Sequence, residues 1–370
     1  MKQVEDFIFE KSLGFSSFGE AYLATKNGSP EKYAVKCYDR EETDKSGIKH
    51  YLGNEMIFLK EINHPNIIKF HEVKKTKKHY YFFYEYCNGG KLSDALENYK
   101  IKYGKPFPEE IIQYFMKQII DAFYYLHEKK IIHRCINLDN ILLNYENEED
   151  LKNFNLIKAQ IKIIDFIYVC RAEKDILQKS LQYIFLGGSS STDPLIIKNF
   201  NRQNNKKIRQ FGYSTRADIW SIGAICYEML IGKSLFHIED VSKFFEKGNY
   251  TIPHSLSYEI VAFINGMLQY NAFKRLTASQ LSRHDFLNKN VNQFKIINLE
   301  EKLIDKQEIN DDNNITIWSI YSKKDENLLT SILAGDYVVA IDENEELEFC
   351  KANESSLKLS LKEIPANPTD

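Results

Sequence analysis

Hydrophobic and polar positions alternate along most of the first 86 residues. Five segments alternate or are rich in β-forming residues: 7–13, 19–25, 32–39, 67–75 and 79–86. Turn signals follow the first segments at Gly14, Gly19 and Asn27-Gly28. Residues 47–61 differ, because their apolar positions have helical spacing. The pattern predicts a small β-rich region that contains one helix.

From about residue 91 the apolar spacing becomes helical. Residues 109–129 form a long amphipathic run that begins just after Pro108, a favourable position for a helix start. Residues 217–232 are apolar on nearly all sides, which predicts a buried helix. A last helical segment covers residues 276–287. A β-rich lobe followed by a larger helical lobe predicts a two-lobed α+β fold.

The chain divides into three predicted regions: residues 1–87, 88–289 and 290–370. Within the second region, residues 144–160 are polar and predict a surface insertion, and residues 198–210 form a second polar stretch that is basic. The third region contains strand-like segments at 314–322, 335–349 and 356–364. This pattern is compatible with a small β-rich module and with an extension packed on the helical lobe.

Composition excludes several functional classes. The net charge of −3 and a pI near 6.3 argue against a nucleic-acid partner, which would call for a basic face. The six cysteines form no Cys-x-x-Cys pair, so neither a disulfide framework nor a zinc site is expected. No signal sequence or apolar run of membrane length is evident. These features predict a cytoplasmic protein without membrane insertion.

Three residue groups at the start of the chain predict a nucleotide site. A Gly-rich segment, Gly14 to Gly19, lies between two predicted strands. Lys36 follows on a strand, and Glu55 lies on the helix after it. A strand lysine held by a helix carboxylate would present a fixed cation to nucleotide phosphates.

Together with later motifs, these residues make positions 7–287 resemble a protein kinase domain. The motifs are His64-Pro65-Asn66-Ile67, the hinge Tyr84 to Gly90, the loop His133-Arg134-Cys135 to Asn140-Ile141-Leu142, Asp165-Phe166-Ile167, the segment Asp218 to Gly223, and Arg275. The resemblance implies a two-lobed kinase fold that uses ATP and Mg²⁺. It assigns nucleotide contacts to Gly14, Gly19, Ala34, Lys36, Glu55, Glu85, Cys87 and Leu142. It assigns the metal to Asn140 and Asp165, which offer the oxygen ligands that Mg²⁺ prefers.

Departures from the family pattern concern the chemistry. Cys135 stands where the family has the aspartate that accepts the substrate hydroxyl proton, and Asn137 stands where Ser/Thr kinases have a lysine. A thiol is a weak acceptor. Asp139 is a conceivable substitute, but the family's residue at that place faces away from the phosphates. Ile167 replaces a glycine and should reject positive φ.

The segment Asp193-Pro194-Leu195 replaces the family's Ala-Pro-Glu. The family glutamate pairs with the arginine that Arg275 represents, and Leu195 cannot form that pair. We therefore expect that Arg275 has another acceptor or that the segment is reorganised. Hydroxyl residues of this region, Ser180, Ser189, Ser190, Ser191 and Thr192, would pair with Arg134 only if phosphorylated; solvated loop hydroxyls are the simpler interpretation.

Three hypotheses follow for function. The first is a pseudokinase that serves as a protein-binding scaffold or allosteric subunit and still binds ATP. The second is a weak or unconventional ATP-dependent Ser/Thr kinase. The third is an architectural component of a cytoskeletal or ciliary assembly that binds no nucleotide. The first hypothesis places protein partners, of unknown identity, on residues 144–160, 198–210 and 290–370.

Overall fold

The computed structural model describes residues 3–16, 19–172, 191–193, 214–235 and 256–290, together with the backbone of three short strands after position 339. The basic stretch at 198–210, the segment 314–322 and the hydroxyl residues Ser180, Ser189 and Ser190 lie outside these ranges. Among the described residues, no helix is long and apolar enough to cross a membrane.

Six antiparallel strands form the first sheet. They are β1 Gln3–Val4, β2 Phe7–Ser16, β3 Gly19–Lys26, β4 Lys32–Asp39, β5 Phe70–Lys75 and β6 His79–Glu85. Their order is β1-β2-β3-β4-β6-β5. Successive side chains of a strand point to opposite faces. In β4 this rule places Val35 and Cys37 in an aromatic core with Phe7 and Phe83, and Lys36 on the other face.

Two helices follow β4. Helix α1 spans Arg40–Ser46 and begins at Asp39, whose side chain accepts a hydrogen bond from the Glu42 amide. Helix α2 spans Lys49–Glu61 and buries Leu52, Glu55 and Leu59. Both lie inside the region where helical spacing was predicted or directly before it.

The remaining helices are α3 Leu92–Tyr103, α4 Glu109–Glu128, α5 Glu148–Lys152, α6 Thr215–Ile231, α7 Tyr258–Met267, α8 Ala278–Ser282 and α9 Asp285–Asn288. Helix α4 begins after Pro108 as predicted. Helix α6 is buried on nearly all sides, which confirms the second helical prediction. Its Gly223 permits close packing, because a Cβ there would lie 2.8 Å from the Cβ of Met267. A β-sheet lobe followed by a helical lobe confirms the α+β class.

The other described strands are short and form three small antiparallel sheets. β7 Ile131–Ile132 pairs with β10 Cys170–Arg171, and β8 Ile141–Asn144 pairs with β9 Gln160–Ile163. The insertion between β8 and β9 contains α5 and a 3₁₀ turn, Leu156–Lys158. Strands β11 Ala340–Ile341, β12 Glu346–Phe349 and β13 Leu357–Ser360 form an antiparallel sheet, so two of the three predicted C-terminal strand segments are confirmed.

The chain forms two compact units. The first comprises residues 1–98 and 138–169, and the second comprises residues 99–137 and 170–370. The domain boundaries predicted after residues 87 and 289 stay predictions. The candidate nucleotide residues belong to the first unit, and Cys135 and Asn137 belong to the second.

Candidate nucleotide site and catalytic loop

Lys36 forms an ion pair with Asp165 in the first unit. The ammonium Nζ lies 3.2 Å from Oδ1 of Asp165. Burial acts to lower the pKa of this ammonium, but Tyr38, Asp165 and Glu55 outweigh it, and the pKa is raised. Lys36 therefore remains a cation at any physiological pH.

Glu55 lies buried on α2, where it interacts electrostatically with Lys36. Its side chain is 1% exposed. Burial raises its pKa, although the charge of Lys36 opposes the shift. Lys36 and Glu55 interact electrostatically, and the hydrogen-bonded ion pair of the lysine is with Asp165, so the role of Glu55 in holding Lys36 stays a prediction.

Asp165 and the residues after it form a tight turn. Asp165 has left-handed backbone angles, φ 69° and ψ 59°, and a 3₁₀ turn spans Phe166–Tyr168. Ile167 lies inside that turn, is 1% exposed and does not have a positive φ, so a β-branched residue fits there. The ring of Tyr168 meets that of Tyr51 on α2 at 5.8 Å. These contacts fasten the turn to α2.

Gly14 and Gly19 of the β2–β3 segment each require glycine, for different structural reasons. Gly14 has a φ of 125°, a conformation that other residues rarely adopt. A Cβ on Gly19 would lie 2.2 Å from the carbonyl oxygen of Cys37, so no side chain fits. Ala34 pairs with Leu23 on one side and with Tyr84 on the other, which places it in the middle of the sheet.

The hinge segment is fixed by contacts that the sequence did not reveal. Glu85 accepts a hydrogen bond from the Lys69 amide at 2.7 Å and pairs with Lys162 at 2.9 Å. Burial raises the pKa of the Cys87 thiol to about 12, so this cysteine is a neutral, inert group. Leu142 on β8 faces Lys162 across the strand pair.

Asn88 joins the hinge to the end of β8. Its amide donates to the carbonyl of Tyr145 at 2.9 Å and accepts from the Tyr145 amide at 2.8 Å. Gly89 and Leu143 are also bonded through their backbones at 2.8 Å. Both hydrogen bonds require the Tyr145 backbone to lie beside the Asn88 side chain. No sequence motif predicts that these two residues lie close together.

Asn140 and Asp139 lie in a 3₁₀ turn, Leu138–Asn140. The Asn140 carbonyl accepts a bond from the Ile164 amide at 2.9 Å, which places it beside the strand that leads to Asp165. Asp139 is exposed and accepts a hydrogen bond from Ser93 at 2.6 Å. The Lys91 ammonium lies 3.6 Å from the same carboxylate.

The loop that carries Cys135 belongs to the second unit and is held by Asp218 of α6. The amides of His133 and Arg134 each donate to this carboxylate at 2.9 Å. Arg134 has a positive φ of 68°. The Cys135 amide donates to Nδ1 of His133 at 3.3 Å, and the residue is partly exposed without a disulfide. Asn137 is likewise partly exposed.

Asp193 is the acceptor for Arg275. The guanidinium is paired with Asp193 at 2.5 Å, and both side chains are buried. The first of the two alternatives predicted for this arginine is therefore confirmed. The acceptor lies two positions before the leucine that replaces the family glutamate.

The charged and amide groups of the first unit suit a magnesium–nucleotide complex by chemistry. Asp165 and Asn140 provide oxygen ligands, and Lys36 provides a cation. Within the described ranges, no cluster of three or more His, Cys, Asp or Glu residues could hold a metal ion. A metal here would thus rest on Asp165, Asn140, water and phosphate oxygens, the pattern typical of Mg²⁺.

Comparisons with known proteins agree with this picture. A family model described as "Protein kinase domain" matches residues 7–287. CBL-interacting serine/threonine-protein kinase 12 of Arabidopsis thaliana is 27% identical over 319 residues, 85% of this chain and 58% of the relative. Serine/threonine-protein kinase atg1 of Dictyostelium discoideum is 29% identical over 300 residues, 79% of this chain and 41% of the relative. This chain thus spans about half the length of these relatives.

Proposed function

The chain belongs to the protein kinase family, and on that premise we propose that it is a catalytically impaired member that acts by binding protein partners and retains a nucleotide site. It would serve as a scaffold or as an allosteric or structural subunit. Its candidate docking surfaces are residues 144–160, 198–210 and 290–370.

Cys135 is the observation that carries the proposal. Family kinases use an aspartate at this place to orient the substrate hydroxyl and to accept its proton. A thiol has no formal charge and accepts hydrogen bonds weakly. A positioned general base contributes about 10²–10⁴-fold to the rate. With Asn137 in place of a lysine, a cation that would stabilise the transferring phosphoryl group is lost as well.

Asp139 supports this interpretation, because its carboxylate is already engaged. Ser93 donates a hydrogen bond to it, and the Lys91 ammonium lies close by. These contacts hold the carboxylate at the side chains of Ser93 and Lys91. Asp139 is therefore a poor substitute for the missing aspartate.

The nucleotide site is better preserved than the catalytic loop. Lys36 would contact the phosphates, and Asp165 and Asn140 would hold Mg²⁺, which neutralises phosphate charge when it is bound. Lys36 and Asp165 now neutralise each other at 3.2 Å. Binding of the magnesium–nucleotide complex would replace this pair by contacts of each residue with the ligand.

The proposal is tested on the full chain by thermal unfolding and phosphotransfer measured side by side. We expect ATP with Mg²⁺ to raise the melting temperature of the wild type, because a ligand that binds only the folded state stabilises it by RT ln(1 + [L]/Kd). The Lys36→Met variant should lose that shift. Phosphotransfer by both proteins should be equal to background. A melting shift together with normal turnover would overturn the proposal.

A weak Ser/Thr kinase is the second candidate. The retained Lys36, Asn140 and Asp165 favour it, and the relatives named above are serine/threonine kinases. It predicts slow phosphotransfer to Ser or Thr that disappears in Lys36→Met. Phosphoamino-acid analysis after a single turnover with excess protein would distinguish this activity from background.

An architectural component without nucleotide is the third candidate, and the direct Lys36–Asp165 contact favours it, because the pair satisfies both charges without a ligand. It predicts no melting shift at millimolar ATP, with or without Mg²⁺. A cytoskeletal or ciliary location would then be checked by imaging the tagged full-length chain.

A further inference from the structure

Asp193 and Arg275 form a fully desolvated ion pair in the second unit. Nη1 of the arginine lies 2.5 Å from Oδ2, and Nη2 lies 3.3 Å from Oδ1. The side chains are 0% and 4% exposed. Paired, parallel contacts of this kind fix the orientation of both groups as well as their distance.

Every N–H of the Arg275 guanidinium is directed at an acceptor. Beyond the carboxylate, it donates to the carbonyl oxygens of Gln269, Arg216 and Tyr270 at 2.7, 2.8 and 3.4 Å. Its central carbon lies 5.0 Å from the ring centre of Trp220. A buried charge with complete hydrogen bonding is stable in place, whereas removal of one partner is strongly destabilising.

The residues beside Asp193 reach the loop that carries Cys135. The Ser191 hydroxyl is buried and donates to the carbonyl oxygen of Ile136 at 2.8 Å. Ile136 is the residue between Cys135 and Asn137. The short segment 191–193 therefore touches the loop at one end and the arginine at the other.

The same loop is tied to α6 on its other side. The amides of His133 and Arg134 donate to Asp218, and Arg216 in the same helical turn gives its carbonyl to Arg275. Together with the chain itself, these contacts form a closed series, which we call the polar ring. Its members, in order, are Ile136, Ser191, Asp193, Arg275, Arg216, Asp218, Arg134 and Cys135, and Cys135 is joined to Ile136 by the backbone.

We propose that Asp193 is a positioning residue that, through the polar ring, holds the backbone of the Cys135 loop in one conformation. The proposal goes beyond the proposed function, because the ring would fix this loop whether or not the protein transfers phosphate. It also assigns a role to an aspartate at a position where the family motif has alanine, and it explains how the loss of the glutamate is tolerated at Leu195.

The rate of thiol labelling at Cys135 measures how readily the Cys135 loop opens. The other described cysteines are buried: Cys37, Cys87, Cys170 and Cys226. Cys350 lies outside the described ranges and is replaced by serine in all proteins compared. Brief exposure of the full chain to iodoacetamide, followed by mass spectrometry, gives separate rates for Cys135 and for Cys226, which is 0% exposed and reports opening of the whole fold.

Ser191→Ala should accelerate labelling of Cys135 about tenfold, the factor that corresponds to loss of one buried hydrogen bond. Asp193→Asn should accelerate it more, and Asp193→Glu should restore part of the protection. Asp285→Asn is the matched control, because it removes an exposed aspartate paired with Lys289 at 2.5 Å. Its Cys135 rate should stay within about twofold of the parent, since exposed ion pairs contribute little.

The ratio of the two cysteine rates decides the outcome. Faster labelling of Cys135 with unchanged Cys226 supports a local role of the ring. An unchanged Cys135 rate in Asp193→Asn, or an increase that only parallels Cys226, would overturn the proposal. If Asp193→Asn does not fold, Ser191→Ala alone decides, because it leaves the buried ion pair intact.

Discussion

Restoring the missing acid should create phosphotransfer activity in this chain. The perturbation is the double replacement Cys135→Asp and Asn137→Lys, which gives the loop the two groups that the family uses. The loop is already fixed, because two amides bind Asp218 at 2.9 Å and the Ile136 carbonyl is bound by Ser191 at 2.8 Å. A carboxylate at position 135 would therefore be held without reorganisation of the backbone.

The expected gain follows from the size of the missing contributions. A positioned base supplies about 10²–10⁴-fold, and each factor of ten corresponds to about 1.4 kcal/mol of activation free energy. The Cys135→Asp/Asn137→Lys variant should thus exceed the wild type by about 100-fold or more in single-turnover transfer of the γ-phosphoryl group. The assay uses excess full-length protein and limiting labelled ATP.

Cys135→Asn/Asn137→Lys is the matched control, since asparagine has the shape of aspartate without its charge. It should transfer no faster than the wild type. Adding Lys36→Met to the active variant should abolish the gain, because the gain depends on bound nucleotide. If nucleotide binds and the aspartate variant is no faster than the asparagine variant, the reasoning about Cys135 is refuted.

Two further predictions concern stability and use denaturant unfolding of the full chain. Gly19→Ala should lower the free energy of unfolding by more than about 2 kcal/mol, because its Cβ would overlap the Cys37 carbonyl. Gly53→Ala, in open space on α2, should instead raise it by about 0.5–1 kcal/mol. Equal effects of the two substitutions would contradict this account. Glu55→Gln should alter the pH dependence. The folded-state pKa of Glu55 is raised above its ordinary 4.5, so ionisation costs wild-type stability as pH rises above that value. The wild type should therefore lose stability relative to Glu55→Gln as the pH rises above 4.5, and a constant difference would contradict the burial argument.

Much of the fold was predictable from periodicity. The alternation in residues 32–39 predicted a strand, and β4 spans those residues. The amphipathic run after Pro108 gave α4. Periodicity succeeds here because each element buries one face, or all faces in α6, and that burial dictates which positions are apolar.

Pairings between distant residues were not predictable in the same way. The sequence indicated Glu55 as a partner of Lys36 and did not indicate the ion pair with Asp165, because spacing along the chain does not determine which carboxylate a long side chain reaches. Asp193 was overlooked as the acceptor for Arg275 for a related reason. The motif drew attention to position 195, and a carboxylate two residues earlier gave no signal by itself.

Single-turnover phosphotransfer by the unaltered full-length chain tests the central claim most directly. With ATP, Mg²⁺ and a mixture of peptide substrates, the wild type should transfer phosphate no faster than its Lys36→Met variant, although ATP raises the melting temperature of the former. Transfer at the roughly 1–100 s⁻¹ typical of protein kinases, abolished by Lys36→Met, would contradict the claim that Cys135 has disabled the chemistry.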